Sequence, residues 1–137
     1  MLFRSNLKSV PKALPALSRS RKVQEKASEI GFGFKDILGA FFKIKEETHK
    51  LQIAYQSCDR QNMADELGDL LFSVVNIARF IRVDPKECLS MATDKFIKKF
   101  EFMEMSASAR GQDLKALELS EFDQLWEKAK DHGISDE

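Results

Sequence analysis

A chain of 137 residues is long enough for one domain with its own core and too short for two. Hydrophobic residues make up 43% and charged ones 32%, and Lys+Arg and Asp+Glu balance at 22 each; that balance argues against nucleic acid or an anionic membrane as partner, since a phosphate-tracking surface carries a basic excess. No apolar run is long enough to span a bilayer, and Cys58 and Cys88 have neither metal-ligand spacing nor a disulfide pattern, which fits free thiols in a reducing cytoplasm.

From Met1 to Gln24 the chain carries Arg4, Lys8, Lys12, Arg19, Arg21 and Lys22 and no acid. The composition resembles an organellar transit peptide, but Pro11 and Pro15 suit a linker better than an amphipathic targeting helix. Residues 1–19 are therefore read as a basic linker-like segment, 20–133 as an all-α domain and 134–137 as a tail. Apolar residues recur at helical rather than alternating spacing. A first helix is predicted over 20–30, ending at Gly31, and Gly31-Phe32-Gly33-Phe34 reads as a turn with two aromatic anchors. A second helix is expected over 35–56, with Ile37, Phe41, Ile44, Leu51 and Tyr55 as its apolar stripe.

Asp59 is the natural cap of a third helix over 60–81. Met63, Leu67, Leu70, Val74, Ile77 and Ile81 share one face, with Phe72 and Val75 towards the other side. A helix so widely apolar is central in a bundle or buried by a second subunit, which predicts a homodimer or larger homo-oligomer. Asp84, Pro85 and Glu87 mark the start of a fourth helix that runs to 106. A loop over 108–117 follows, and Ser120 is expected to cap a last helix with Asp123 as reciprocal partner, ending near Gly133. The whole reads as an antiparallel helical bundle with short connections.

Glu46, Glu47 and Lys50 fall on the second helix, Glu66 and Asp69 on the third. At about 100° per residue, Glu47 and Glu66 lie at the edges of their apolar stripes and Glu46 points away from the core, as a solvated or supporting acid. A hairpin about Cys58 brings residue 47 level with 69 and residue 50 level with 66, at about 1.5 Å per residue along both helices. Three carboxylates would then converge on one groove and repel unless a cation sits between them. All-oxygen ligands favour Mg²⁺, Mn²⁺ or Ca²⁺ over zinc, and Mg²⁺ completed by water and phosphate oxygens suits phosphate chemistry. Acids three apart on helices are also common as a plain solvated face. Ser73 and Asn76 continue the Glu66–Asp69 face, where Asn76 fits either a ligand contact or a buried backbone group.

Glu46-Glu47-x-x-Lys50, followed by Glu66-x-x-Asp69 within Glu66-Leu-Gly-Asp-Leu-Leu-Phe72, resembles the MazG signature EExxE…ExxD. Further blocks similar to that family are 10–17, 75–79, 83–85, 95–100 and 125–130, so the likeness runs from about Val10 to Lys130 and matches the C-terminal, catalytic half of two-domain MazG proteins. The resemblance implies Mg²⁺-dependent hydrolysis of nucleoside triphosphates to monophosphate and pyrophosphate on an oligomeric all-α scaffold. It implies Glu47, Glu66 and Asp69 as metal ligands, Glu46 as a further catalytic acid, Lys95 and Lys99 near the phosphates, Trp126 near the base and Lys130 beside it. Cations stabilise charge on transferring phosphates, and an indole stacks on any base. The same residues also read as lysines on a wet face and Trp126 as a core plug.

Three departures from the family pattern bear on activity. Lys50 replaces the last glutamate of EExxE, removing a ligand and adding a positive charge that the hairpin register places near Glu66. The Gly31–Phe34 turn lacks the Asp and Trp of the family's GFDW, and Thr93 stands where asparagine is usual. The alternative to an active enzyme is thus a catalytically impaired nucleotide-binding or regulatory helical oligomer. A di-iron carboxylate bundle, prompted by Glu46-x-x-His49, is set aside because the other histidine, His132, lacks the required spacing.

Overall fold

The structure is a computed structural model that describes residues 6–131. Among these residues every regular element is helical: five α-helices, α1 (Ala16–Glu29), α2 (Ile37–Gln56), α3 (Arg60–Phe80), α4 (Pro85–Ala109) and α5 (Leu119–Asp131), with two 3₁₀ turns at Asn6–Ser9 and Leu114–Ala116. None of these helices is long and apolar enough to cross a membrane. The chain divides into two compact units, one up to residue 86 and one from residue 87 onward.

In the first unit α1 starts four residues earlier than the spacing predicts, directly after Pro15, whose fixed φ of −54° leads into the helix. Gly31, at φ 93°, turns the chain out of α1 in a conformation that a side chain disfavours. Helix α2 begins at Ile37 because the Asp36 carboxylate accepts the Gly39 N–H at 3.2 Å. As expected, Asp59 caps α3, accepting the Asn62 N–H at 3.2 Å. Between α2 and α3 the chain reverses through Cys58 in the left-handed region (φ 55°), and the Asp59 N–H reaches back to the Ala54 carbonyl at 3.2 Å.

The face that α2 buries matches the predicted stripe only in part, with Ile37, Ile44 and Leu51 half-buried along it. Phe41 and Tyr55 are exposed, while Ala40, Glu47 and Ala54 are buried at seven-residue intervals. The short side chains of Ala40 and Ala54 let α2 pack closely on α3, whose buried residues are Ser73, Val75 and Ala78. Glu47 therefore lies within the buried face rather than at its edge. The larger apolar side chains, among them Phe41, Phe42, Leu67, Leu71 and Val74, remain on the surface of the single chain.

In the second unit Asp84 accepts the Lys86 N–H at 2.9 Å at the start of α4, whose helical turns continue three residues past the expected end. The predicted loop holds a 3₁₀ turn capped by Asp113. Helix α5 starts one residue before Ser120, so the cap-box register shifts: Glu121, not Asp123, supplies the reciprocal arm, its Oε1 accepting the Glu118 N–H at 3.4 Å. The expected end near Gly133, His132 and the tail lie outside the described residues. Met103, Ala107, Leu125 and Ala129 are the buried apolar side chains of this unit.

Candidate metal and nucleotide site

The α2–α3 hairpin brings Glu47, Glu66 and Asp69 together, with one carboxylate oxygen from each lying within 4.8 Å of the others. Glu66 and Asp69 share a face because they are three apart on α3. Glu47 meets them from α2 because both helices count outward from the same turn. Burial grades across the cluster: Glu47 is buried, Glu66 half-buried and Asp69 exposed.

A carboxylate that is only 2% exposed stays charged only with partners. Lys43, one turn earlier on α2, supplies the main one, its Nζ lying 2.9 Å from Glu47 Oε1. Lys50 Nζ lies 3.5 Å from the same oxygen. The hydrogen bond from Lys43 outweighs the effect of burial and holds the Glu47 carboxyl below the usual carboxylate range. Glu66 goes the other way: burial first, and then the neighbouring Glu47 carboxyl, push it up.

Oε2 of Glu47 and Oε2 of Glu66 are both buried and have no hydrogen-bond partner. Two carboxylate oxygens left without a partner this close together fit a cation between them, because leaving both charged and unpaired is costly. Counting Glu46, Glu47, Glu66 and Asp69 against Lys43 and Lys50, four negative and two positive groups leave a charge of minus two when all are ionised. One divalent cation would neutralise that, and the all-oxygen donor set fits a hard ion such as Mg²⁺ or Mn²⁺.

Lys50 does not bridge to Glu66. Its ammonium instead pairs along its own helix, 3.2 Å from Glu46 and 3.5 Å from Glu47, because those carboxylates sit at the favourable i−4 and i−3 positions. Glu46 is exposed, as its outward position predicts. Its hydrogen bond with Lys50, helped by Lys43 at 3.6 Å, keeps it below the usual carboxylate range. In return Lys43 is raised by its hydrogen bond to Glu47, and Lys50 by its hydrogen bond to Glu46.

Further along α3, Ser73 donates to the Asp69 carbonyl at 2.9 Å, and Asn76 Oδ1 accepts from Arg79 Nε at 3.1 Å. Asn76 thus satisfies a side chain rather than a backbone group. Asn76, Arg79 and Lys43 line a cavity of about 610 Å³ in the first unit. The other residues singled out from the sequence lie in the second unit. There Lys99 Nζ sits 4.8 Å from the Trp126 ring centroid, and the Phe96 ring 5.5 Å from that indole. Trp126 is half-buried, between a core plug and an open platform. Lys95 is exposed, and Lys130 pairs with Glu127 at 3.4 Å.

Sequence reasoning missed Lys43 and Arg79. For Lys43 the signal was present, since Lys and Glu four apart on a helix pair readily. For Arg79 it was not: its role depends on where α1 and the Gly31–Phe34 turn come to rest.

Residues 40–102 match the family described as the MazG nucleotide pyrophosphohydrolase domain. Over 126 residues, 92% of this chain, the sequence is 41% identical to the nucleoside triphosphate pyrophosphohydrolase/pyrophosphatase MazG of Thermotoga maritima, of which it covers 48%. Over 128 residues it is 30% identical to the nucleoside triphosphate pyrophosphohydrolase of Escherichia coli K12, of which it covers 49%. It is also 39% identical over 128 residues to the uncharacterized protein YabN of Bacillus subtilis, of which it covers 26%. The chain therefore spans about half the length of the first two relatives and about a quarter of the third. Residues 40–102 thus carry the match to the MazG nucleotide pyrophosphohydrolase domain, and over 92% of its length the chain is similar to proteins named as nucleoside triphosphate pyrophosphohydrolases.

Proposed function

We propose that this chain hydrolyses nucleoside triphosphates to the monophosphate and pyrophosphate, using a divalent cation, Mg²⁺ in the cell, held by Glu47, Glu66 and Asp69. The observation that carries this reading is the pair of buried, unpartnered Oε2 atoms of Glu47 and Glu66 beside Asp69. When bound, the cation would supply positive charge to phosphate oxygens. Lys43 keeps Glu47 ionised and fixed before substrate arrives, so the carboxylate needs little reorganisation. In this reading Glu46, exposed and anionic, accepts the proton that water releases as it adds across the phosphoric anhydride and pyrophosphate departs. Its pairing with Lys50 makes it a weak base.

Lys95, Lys99 and Lys130 serve the anionic part of the nucleotide in this reading, and Trp126 offers an aromatic face to the base. The apolar side chains left exposed on α2 and α3 support a homodimer that covers them. Sedimentation showing only monomer at micromolar concentration would remove that part of the proposal. A cytoplasmic location accords with two free, exposed cysteines.

The contacts of Lys50 with Glu46 and Glu47 favour a second reading, a nucleotide-binding oligomer with impaired catalysis. The deciding experiment is pyrophosphate release from a panel of canonical and modified nucleoside triphosphates, with Mg²⁺ and with EDTA. Metal-dependent release that disappears in Glu66→Gln and Asp69→Asn supports the enzyme. Absence of release from folded protein that still binds nucleotide supports the second reading.

A further inference from the structure

The cavity of about 610 Å³ beside the acidic cluster has the size of a small-molecule site and lies wholly within the first unit. Its wall is largely aromatic and aliphatic, with Phe32 and Phe34 from the turn and Phe72 from α3. Into this lining α1 contributes Gln24, 7% exposed and the one buried polar residue of its helix. The Gln24 carboxamide is oriented by Nε2, which donates to the Phe72 carbonyl at 2.9 Å. That leaves Oε1 as an acceptor, and Oε1 is buried without a partner. Buried amide oxygens are ordinarily satisfied, so an unpaired one in a cavity wall calls for a donor from elsewhere.

The cationic side of the cavity narrows the donor's identity. Lys43 lines it while lying 2.9 Å from Glu47, so one residue joins the cavity to the proposed cation site. Arg79 adds a second cation to the wall. A ligand that satisfies all of these groups has a flat aromatic ring, an N–H on the ring's edge and an anionic tail that reaches Lys43.

We propose that this cavity holds the base of the nucleotide, with a base N–H donating to Gln24 Oε1. The proposal rests on the nucleotide reading above and, within it, moves recognition of the base from Trp126 in the second unit to Gln24 in the first. An indole such as Trp126 reads only a ring face and tolerates every base, whereas a fixed acceptor in an apolar wall discriminates by the donor it is offered. Gln24 is then a specificity-determining residue.

The test is calorimetric titration of the whole chain, with Mg²⁺ present, using the α,β-methylene analogues of ATP, GTP, CTP and UTP, with tripolyphosphate as a baseless control. Gln24→Met should weaken the tightest analogue roughly tenfold and leave tripolyphosphate unchanged. Phe32→Ala should weaken the same analogue; Phe32 is 79% exposed, so this variant also guards against a folding defect at Gln24. Equal loss for tripolyphosphate, or no loss for any base, overturns the proposal. So does a base preference that survives Gln24→Met and disappears in Trp126→Ala. A changed sedimentation profile in both variants with unchanged nucleotide binding would assign the cavity to another copy of the chain and likewise overturn it. Base-dependent binding without pyrophosphate release would sink the enzyme reading and keep this one; release with Gln24-independent binding would do the reverse.

Discussion

Lys43 Nζ lies 2.9 Å from Glu47 Oε1, and this contact allows a glutamate only 2% exposed to remain a carboxylate in the face that α2 presents to α3. The pair divides the two oxygens of Glu47 between tasks. Oε1 is held by the ammonium groups of Lys43 and Lys50, while Oε2 has no partner. The fold thus stores an anionic oxygen in a buried position and fixes its orientation from within the same helix.

Removing the main partner should expose that arrangement. Lys43→Met is expected to destabilise the cation-free protein by about 1–2 kcal/mol, the cost of leaving a buried acceptor less well paired. The figure stays at the low end because Lys43 is 37% exposed, and so partly screened, and because Lys50 remains. Urea unfolding in EDTA measures it. Adding Mn²⁺ should restore more stability to Lys43→Met than to the wild type, since the cation replaces the lost charge. Equal Mn²⁺ stabilisation of the two proteins would count against the cation site.

Lys50 sets the affinity of the cluster. Its ammonium contributes one positive charge within 3.5 Å of Glu46 and Glu47. Lys50→Glu exchanges that charge for a negative one and restores an acid at the position, so Mn²⁺ affinity, read by electron paramagnetic resonance, should rise roughly tenfold or more. Lys50→Met should show part of the gain. Turnover should rise with Lys50→Glu if the remaining machinery is intact. Unchanged Mn²⁺ affinity in both variants would mean that Lys50 does not govern the site.

Glu66 gives the cluster a pH signature. Its folded value is raised by burial and by Glu47, so the folded state binds a proton more readily than the unfolded one. Stability then falls as pH rises from the ordinary carboxylate range through the raised value, and the deficit is complete above it. Glu46 and Glu47 are lowered, so their contribution is present above the ordinary range and is lost only as pH falls through their depressed values. Lys43 and Lys50 are raised and lose their contribution only as strongly alkaline pH passes through their folded values. In EDTA, Glu66→Gln should therefore melt at a higher temperature than the wild type at pH 8, with the gap closing towards pH 5. With Mn²⁺ at pH 8 the order should reverse, because the amide is a poorer ligand. A gap that does not move with pH would contradict this account of Glu66.

The acids were legible because the hairpin is centred on Cys58 and helical rise is uniform; counting outward from one turn was enough to join Glu47 to Glu66 and Asp69. The buried face of α2 was legible only in part, since a pattern that ranks glutamate as polar and alanine as weakly apolar passes over Ala40, Glu47 and Ala54. Phe41 and Tyr55 were drawn into the predicted stripe instead, and those two side chains lie on the surface of the single chain, whereas Ile37, Ile44 and Leu51 flank the buried residues. Gln24 was hidden for a related reason. It sits in a largely charged stretch, Lys22-Val23-Gln24-Glu25-Lys26, and only the packing of α1 on α3 places its carboxamide against the Phe72 carbonyl.

The turn that carries Phe32 and Phe34 is braced by Gly39, one turn into α2. A Cβ added at Gly39 would lie 2.8 Å from Phe34 Cδ1, 3.2 Å from Cγ and 3.3 Å from Cβ. Turning the Phe34 side chain about χ1 relieves the first two contacts but not the third, so Phe34 Cβ must give by a few tenths of an ångström. Gly→Ala inside a helix ordinarily gains about 1 kcal/mol, and displacement of Phe34, itself 42% exposed, works against that gain. Gly39→Ala is accordingly expected to leave the melting temperature unchanged or lower it. It should also weaken binding of the tightest α,β-methylene nucleotide by several-fold without touching tripolyphosphate affinity. A variant that melts higher and binds every nucleotide as before would show that the turn moves freely and that Phe34 has no part in holding the base.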